Sequence, residues 1–479
     1  MPRFPGFIGP SYTFQSINFD CQRCINMYPE LNELGTGKDK EVAALVSTPG
    51  LTRRVTLPTY PVRGIWTASN GEVYAVGGNK LYQLYSSWVA TELGSLNTST
   101  GRVSMADNGI QVIIVDGTDG YYYNMSTDTF AKITDPDFKP ADLVTFMDGY
   151  FLLNESGTKN FFWSGLYDVT FDALDSAAVE GKPDNLLGLV AMNQSIYLFG
   201  SQSTEVFYNS GEADQPFQRN QGAVNDIGCA AVHTIQQMGT SLFWVGGDPS
   251  GSGIVYQMIG FQPKRISTYA IEQIIREIGV TNLASAKAWC YQQGGHQFYC
   301  LNLPTHNATF VYDASTGLWH ERAYLNTLAL ERSRADCHAE GFGYSIVGDY
   351  DNGKIYTQDL GVYTEDGVAL VRERTAPHLS SEDVFIRHSS FQLDMEVGVG
   401  LSGTGQGTDP LAILTFSNDG GHSWSNEKFR SIGKAGEYRT RVIWNRLGVA
   451  RDRVYRIRIT DPVKVVMIGA DLNIERGVA

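Results

Sequence analysis

A plan of short strands that recurs seven times is the feature of this sequence that most constrains its fold. Each unit holds a short strand, a turn, an aromatic-rich strand, a Gly or Asn turn and a further aromatic strand, as in VRGIWTASNGEVYAVGGNKLYQL from Val62. The last apolar residues of the middle strands are Val76, Val115, Leu153, Phe199, Val245, Leu301 and Val347. The spacing of these seven residues along the chain, with three or four short strands in each unit, is typical of β-propeller blades. The sequence therefore predicts an all-β protein with a propeller of six to seven blades, seven by direct count.

Three regions can be separated along the chain. Residues 1–60 are rich in Pro and Asn and have no steady period, which predicts an extended N-terminal arm. Residues 61–370 contain the repeats and form the predicted propeller. Residues 371–479 lack the repeat, and their strand-like runs alternate with a Gly/Thr-rich loop, which favours a separate C-terminal β-sandwich.

One helix is predicted inside the propeller region, near residues 270–279. The apolar residues with helical spacing are Ile271, Ile274, Ile275 and Ile278. Glu272 and Arg276 are expected to pair on the outer face, and Gly279 is expected to end the helix. The helix is interpreted as packing across one blade, with docking of a neighbouring subunit as the alternative.

Composition limits the classes of partner. The formal net charge is −14, which argues against stable DNA binding because Lys and Arg must replace the counterions of phosphate. It does not argue against a channel through which DNA slides. No apolar run is long enough for a membrane span, and the first residues lack a secretion signal, so synthesis in a cytosol is expected.

The cysteines predict no metal centre. Six are present, and Cys21 and Cys24 form the one CxxC pair. No second pair and no His residues follow at zinc-ligand spacing. Reduced structural thiols are therefore predicted, with neither a metal nor a cofactor, and a redox or metal role of the pair is the alternative.

The stretch SNDGGHSW, Ser417 to Trp424, is close to the Asp-box motif of sialidases and related propeller enzymes. Asp419 is expected to accept backbone N–H groups across a turn, and Gly421 permits positive φ. Ser417, Asp419, Gly421 and Trp424 are therefore predicted to build a structural hairpin. No Arg-Ile-Pro stretch, HExxH or GxSxG pattern accompanies it and the predicted blades are poor in Arg, so no catalytic residues are assigned and the protein is not predicted to be an enzyme.

Arginines are concentrated near the end of an otherwise acidic chain. The seven are Arg439, Arg441, Arg446, Arg451, Arg453, Arg456 and Arg458, with Asp452 as the single acid among them. In a strand, Arg456 and Arg458 share one face and apolar residues share the other. Three interpretations stay open: a solvated strand face, a contact surface for an acidic partner or neighbouring subunit, or a contact with DNA phosphate.

Several motifs together resemble one family. In chain order they are NMYPE (from Asn26), GRVSMA (from Gly101), FGSQSTEVFY (from Phe199), the helix AIEQIIRE, VYDAST (from Val311) and the tail RVIWNRLGVARDRVYRIRITDPV. The chain looks like the tail hub, or packaged-DNA-stabilisation protein, of short-tailed bacteriophages. The resemblance spans most of the chain, and the FGSQSTE stretch and the Arg-rich tail are its most specific parts.

The resemblance implies a structural virion protein made in the host bacterial cytoplasm. Proteins of this family form a six-fold ring below the portal and its adaptor, extend the DNA conduit, help to retain packaged DNA, and carry the needle or plug and the tailspikes. Double-stranded DNA would pass through without sequence-specific binding. The alternative is a glycan-binding or glycan-hydrolysing propeller protein, either sialidase-like or a receptor-binding tail component.

Overall fold

Short strands provide nearly all of the regular structure. The structure, a computed structural model, describes residues 2–32, 43–247, 253–381 and 384–476. The first strands in the chain are β1 (Tyr12–Thr13), β2 (Cys21–Ile25), β3 (Met27–Leu31), β4 (Ala43–Ser47) and β5 (Gly50–Thr56).

Four four-stranded antiparallel sheets follow, each built from consecutive strands. The first contains β6 (Val62–Thr67), β7 (Val73–Gly77), β8 (Lys80–Leu84) and β9 (Ala90–Ser95). The second contains β10 (Ser104–Asp107), β11 (Gln111–Val115), β12 (Gly120–Asn124) and β13 (Thr129–Lys132). The third contains β14 (Val144–Met147), β15 (Tyr150–Asn154), β16 (Asn160–Ser164) and β17 (Phe171–Ala178). The fourth contains β18 (Leu186–Met192), β19 (Ser195–Gly200), β20 (Thr204–Asn209) and β21 (Phe217–Asn225).

Three further sheets complete a propeller of seven blades. The fifth contains β22 (Gly228–Cys229), β23 (Gln236–Met238), β24 (Ser241–Gly247), β25 (Ile254–Ile259) and β26 (Gln262–Arg265). Helices α1 (Tyr269–Ile278) and α2 (Val280–Leu283) precede the sixth, which contains β27 (Lys287–Gln293), β28 (His296–Leu303), β29 (Ala308–Asp313) and β30 (Leu318–Asn326). After β31 (Ala329–Arg332), the seventh contains β32 (Ala335–Gly341), β33 (Tyr344–Asp349) and β34 (Lys354–Asp359).

The seven residues that mark the sequence repeat lie in the strand that is second in the sheet order of each blade. All seven, from Val76 in β7 to Val347 in β33, are fully buried. Both faces of these strands pack against neighbouring blades, which is why their sequences are almost continuously apolar. The predicted propeller is confirmed, and its count is seven.

The seventh blade is closed by a strand from the beginning of the chain. Its order is β32-β33-β34-β5, and Gly50 of β5 lies opposite Asp359. A Cβ atom at Gly50 would lie 2.3 Å from the carbonyl oxygen of Val362. Only glycine allows the backbones to approach so closely.

The remaining strands form the predicted sandwich. They are β37 (Arg372–Thr375), β38 (Leu379–Ser380), β39 (Ile386–Met395), β40 (Leu411–Ser417), β41 (Lys428–Ser431), β42 (Val442–Asn445), β43 (Val449–Ala450), β44 (Asp452–Ile459) and β45 (Val466–Arg476). The two short strands before them, β35 (Thr364–Glu365) and β36 (Val368–Ala369), instead extend the sheet of the seventh blade beyond β5. One layer has the order β2-β37-β44-β40-β41, and the other has the order β3-β4-β45-β39-β42. Phe391, Trp444 and Tyr455 are buried in the core between the layers.

The N-terminal segment contributes strands to both domains. Phe4 and Phe7 are buried in the sandwich core, whereas β5 belongs to the seventh blade. Asn26 joins the two domains, because its side chain donates to the carbonyls of Ala323 (2.8 Å) and Val371 (2.9 Å). The proposed bounds 1–60, 61–370 and 371–479 divide the chain by sequence, but in space the first range is shared between the other two.

The predicted helix is present, but the prediction for its polar side was wrong. Ile271, Ile275 and Ile278 are buried, and Gly279 caps the helix with φ 76°. Glu272 does not lie on the outer face, because it is also buried and binds the guanidinium of Arg265 (2.6 and 3.0 Å). Helical spacing cannot reveal such a partner from the preceding strand. None of the helices in the described residues has the length and apolar character needed to cross a membrane.

Candidate interface at the junction of the two domains

A single sheet crosses from the propeller into the sandwich. Strand β2 pairs in parallel with β30 of the sixth blade and antiparallel with β37 of the sandwich, and β37 in turn pairs with β44. The register places Arg456 opposite Thr375 and Arg458 opposite Glu373. Side chains alternate across a strand, so charged residues from neighbouring strands meet on the outer face of this sheet. We call this surface, formed by Arg23, Glu321, Glu373, Arg456 and Arg458, the junction face.

Two of the three arginines on the junction face have carboxylate partners. Arg23 donates to Glu321 through Nε (3.1 Å) and Nη2 (2.5 Å), and this ion pair raises the pKa of the Arg23 guanidinium. Arg458 donates to Glu373 Oε2 through Nε (2.9 Å) and Nη2 (2.6 Å). Both carboxylates are nearly buried, so each arginine neutralises a charge that would be costly if left alone. These contacts are structural.

Arg456 differs from its two neighbours. Its Nε donates to the Thr415 hydroxyl (3.0 Å), and its guanidinium lies over the Trp424 ring, 3.9 Å from the centroid. Burial lowers the pKa of this guanidinium, although Glu373 has the opposite effect. Within the described ranges, no carboxylate forms an ion pair with Arg456. A partly exposed Arg on a Trp ring is the type of residue pair that dominates binding energy at protein interfaces.

The seven arginines of the tail do not form one surface. Arg441 and Arg446 flank β42 in the opposite layer, where Arg441 Nη2 donates to Gln392 Oε1 (2.7 Å). Arg439 and Arg451 are exposed, and Arg451 lies over the Phe385 ring at 4.6 Å.

Arg453 is not at the surface at all. It is 1% exposed and donates to Asn418 Oδ1 (2.9 Å) and to the Leu447 carbonyl (2.7 Å). It also lies over the Phe416 ring at 4.3 Å. Arg453 therefore has no surface to offer a partner, and we exclude it from the candidate interface.

The Asp-box stretch forms a hairpin turn after β40. The Ser417 hydroxyl accepts from Gly421 N (2.8 Å), and the Asp419 carboxylate accepts from Ser423 N (2.9 Å) and Ser423 Oγ (2.5 Å). The Ser417 hydroxyl also donates to Asp419 Oδ1 (2.6 Å), and this hydrogen bond, followed by those from Ser423, lowers the pKa of Asp419. The Asp419 carboxylate therefore forms its hydrogen bonds within the turn, and the Trp424 ring packs against Arg456.

The Asp-box turn also packs on the N-terminal segment. A Cβ atom at Gly420 would lie 2.1 Å from Asn18 Oδ1, and one at Gly421 would lie 3.4 Å from Cys21 Sγ. The sequence contains no signal for this contact, because the two segments lie near opposite ends of the chain. For the same reason, the sequence did not predict that Arg23, Glu321 and Glu373 belong to the junction face, because they are far apart along the chain.

The two cysteines of the CxxC pair do not share a site. Successive side chains of a strand point to opposite faces, so Cys21 and Cys24 of β2 lie on different sides of the sheet. Cys24 Sγ donates to the Met27 carbonyl (3.2 Å), and all six thiols are free. No group of three or more His, Cys, Asp or Glu side chains among the described residues could hold a metal ion.

A cavity of about 260 Å³ lies where the inner strands of the blades converge. Its polar lining includes Arg102, His233 and His338, with Arg102 Nη1 donating to the Asp336 carbonyl (2.7 Å). Burial lowers the pKa of His233 to about 3, so this imidazole is neutral. The described lining contains neither of the two carboxylates that glycoside hydrolysis ordinarily uses.

Both domains match one protein family. Residues 3–361 match the description "Bacteriophage P22 Gp10, beta-propeller", and residues 371–475 match "Bacteriophage P22 Gp10, beta-sandwich". The chain belongs to the bacteriophage P22 Gp10 family. It is therefore a structural tail protein of a short-tailed phage, of the tail accessory or stabilisation type, and its place is in the virion. This confirms the family resemblance and the combination of propeller and sandwich.

Solved structures with a similar arrangement have low sequence identity. The extracellular domain of a one-component system of B. thetaiotaomicron is 10% identical, with a TM-score of 0.44 over 73% of this chain and 43% of that one. The chain thus spans less than half of the length of that protein. The Cps50 β-propeller domain of Myceliophteria thermophila is 7% identical, with a TM-score of 0.43 over 64% of this chain and 99% of that one. No curated protein sequence matches the chain.

Proposed function

We propose that the chain is the subunit of a non-enzymatic ring, a hexamer, that forms the tail hub of the phage. The ring would extend the DNA conduit below the portal and its adaptor, help to retain the packaged DNA, and carry the needle or plug and the tailspikes. The observation that carries the contact part of this proposal is Arg456, a partly exposed cation that lacks a carboxylate partner among the described residues of an otherwise acidic chain.

The charge distribution supports assembly from identical copies. A closed ring uses two different complementary patches on each subunit. With a net charge of −14, the neighbouring copy offers many carboxylates, and the Arg456 guanidinium over the Trp424 ring is suited to bind one of them. We therefore infer that the junction face of one subunit meets an acidic surface of the next.

The shared sheet supports a rigid subunit. Because β2 is hydrogen-bonded to the sixth blade and to the sandwich at once, a load on one domain passes to the other through backbone hydrogen bonds. An acidic lining of the conduit would repel DNA and let it slide, since binding needs cations that replace phosphate counterions.

The test compares two charge reversals. Arg456→Glu should shift the protein from rings to monomers in light scattering and negative-stain images, alone and with the adaptor complex. Arg441→Glu is the matched control, because it makes the same change of charge on the opposite layer. Arg458→Glu is less informative, since it would also strand the buried Glu373 carboxylate inside the subunit.

The outcomes separate the two parts of the proposal. If Arg456→Glu assembles as well as the unaltered protein, the junction face is not the contact. If the unaltered chain stays monomeric even with the adaptor complex, the ring itself is wrong. Equal circular dichroism and urea unfolding of the variants would show that lost assembly is not lost folding.

A further inference from the structure

Cys21 has surroundings that none of the other five cysteines shares. Burial raises the pKa of Cys24, Cys229, Cys300 and Cys337 to about 12, and burial also raises the pKa of Cys290. These five thiols are therefore protonated and inert. Cys21, at the start of β2, instead places Sγ 3.6 Å from Nε2 of His378.

Both nitrogens of His378 face acceptors. Nδ1 lies 2.8 Å from Asp452 Oδ2, and Nε2 lies 2.9 Å from the Ile17 carbonyl oxygen. A carbonyl can only accept, and an ionised carboxylate can only accept, so each ring nitrogen must carry a proton. The hydrogen bond to Asp452 is the main cause that raises the pKa of His378 to about 10. The ring is therefore an imidazolium at neutral pH.

We propose that Cys21, His378 and Asp452 form a reactive-thiol site, in which the His378 ring lies beside the Cys21 sulfur and Asp452 fixes the ring. A cation beside a sulfur stabilises the thiolate, which is the nucleophilic form. The order of the three groups, with sulfur next to one ring nitrogen and a carboxylate on the other, is the geometry by which an imidazole activates a nucleophile. The ligands that suit the site are small electrophiles, above all low-molecular-weight disulfides.

The reaction with such a disulfide balances without any further reactant. The thiolate of Cys21 attacks one sulfur of R–S–S–R, a new S–S bond to Cys21 forms, and the old S–S bond breaks. R–S⁻ leaves with the electron pair and takes a proton from solvent. Cys21 is oxidised to the mixed disulfide, and one equivalent of R–SH is the reduced product.

The position of Cys21 gives such an adduct a structural effect. Its sulfur lies against the Asp-box turn, since a Cβ atom at Gly421 would be 3.4 Å away. The residue is only 8% exposed, so the site admits small reagents and excludes bulky ones. An added group would separate the turn from the loop that contains Ile17 and Asn18, which loosens the N-terminal segment at the sandwich.

The test is alkylation of the full-length protein with iodoacetamide, followed by mass spectrometry of each cysteine peptide between pH 6.5 and 8.5. For an ordinary thiol with a pKa of about 8.5, the fraction present as thiolate falls about fiftyfold when the pH is lowered from 8.5 to 6.5. Cys21 should be alkylated before the other cysteines, and its alkylation rate should fall less than threefold when the pH is lowered from 8.5 to 6.5. In His378→Gln the steep decline should return, and in Asp452→Asn an intermediate slope is expected.

Greater exposure alone would not produce these results, because it raises the rate without flattening its pH dependence. A steep decline in the unaltered protein would overturn the proposal, and so would a profile that His378→Gln leaves unchanged. Cys24 is the internal control for folding, since it is fully buried and should stay unmodified in each variant. If His378→Gln exposes Cys24, the decision rests on Asp452→Asn, and an unaltered Cys21 profile there would equally refute the site.

Discussion

The contact of β3 with the sixth blade should weaken as the pH rises from 6.5 to 9. His296 of β28 binds Asp313 through Nδ1 and Glu30 of β3 through Nε2, each at 2.7 Å. These contacts raise the pKa of His296 to about 8, with the hydrogen bond to Asp313 as the largest cause. Because the folded pKa lies above the unfolded value near 6.5, the stabilisation is complete below pH 6.5 and is lost as the pH rises through 8.

The size of the effect follows from the shift. A rise from 6.5 to about 8 corresponds to about 2 kcal/mol at roughly 1.4 kcal/mol per unit. Glu30 supplies the smaller part of this stabilisation. Because its side chain is 47% exposed, water and salt reduce the contribution of the Glu30–His296 contact to about 0.5–1 kcal/mol. Glu30→Gln should therefore increase local opening of β3 about two- to fivefold at pH 6.5 and hardly at all at pH 9.

Amide hydrogen exchange of the peptide that contains Met27–Leu31 measures this opening directly. Labelling times must be scaled to the intrinsic exchange rate at each pH. Glu92→Gln is the control, since Glu92 is 46% exposed and pairs with a lysine, Lys80, rather than with a histidine. An effect of Glu30→Gln that is equal at pH 6.5 and 9 would refute the assignment of a charged His296.

Three further predictions concern closure, packing and the turn. Gly50→Ala should lower the free energy of unfolding, measured by urea unfolding, by about 1–3 kcal/mol because it overpacks the seventh blade. Gly222→Ala is the control, because its Cβ atom would meet only a side-chain oxygen at 3.7 Å. This second variant should change the free energy of unfolding by less than about 0.5 kcal/mol. Arg374→Met should cost about 3 kcal/mol or more in the same assay, because the buried guanidinium binds several acceptors of the N-terminal segment that would lose their partner. Asp419→Asn should speed hydrogen exchange at Ser423 N and leave ring assembly intact, and a loss of assembly would show that the turn does more than shape the hairpin.

Local patterns predicted the propeller because each blade is made of neighbouring strands. The apolar second strands, such as the one containing Val76, are buried on both faces and repeat at blade spacing. The N-terminal strands have no comparable signal. Strand β5 pairs with β34, which is made only after the other six blades, and such a distant partner leaves no trace in the spacing of apolar residues.

The candidate interface was only partly visible in the sequence for the same reason. The arginine cluster was noticeable by its composition, but composition could not separate Arg453, which is buried, from Arg456, which is partly exposed. That difference depends on Asn418 and Trp424, which reach the two arginines from the Asp-box turn. The carboxylates that neutralise Arg23 and Arg458 come from strands distant in sequence.

Because N-terminal strands pair with strands near the other end of the chain, the sandwich can form completely only late in synthesis. In chain order the propeller lies inside the sandwich, since Leu45 of β4 pairs with Met467 of β45, close to the other end of the chain. At roughly 5–20 residues per second, the ribosome reaches that partner about 20–80 s after it has made β4. The sandwich is thus completed only by a chain that has been translated almost to its end. A chain terminated before residue 452 would lack both β44 with Arg456 and the closing strand β45, so it could not present the junction face to the ring that we propose.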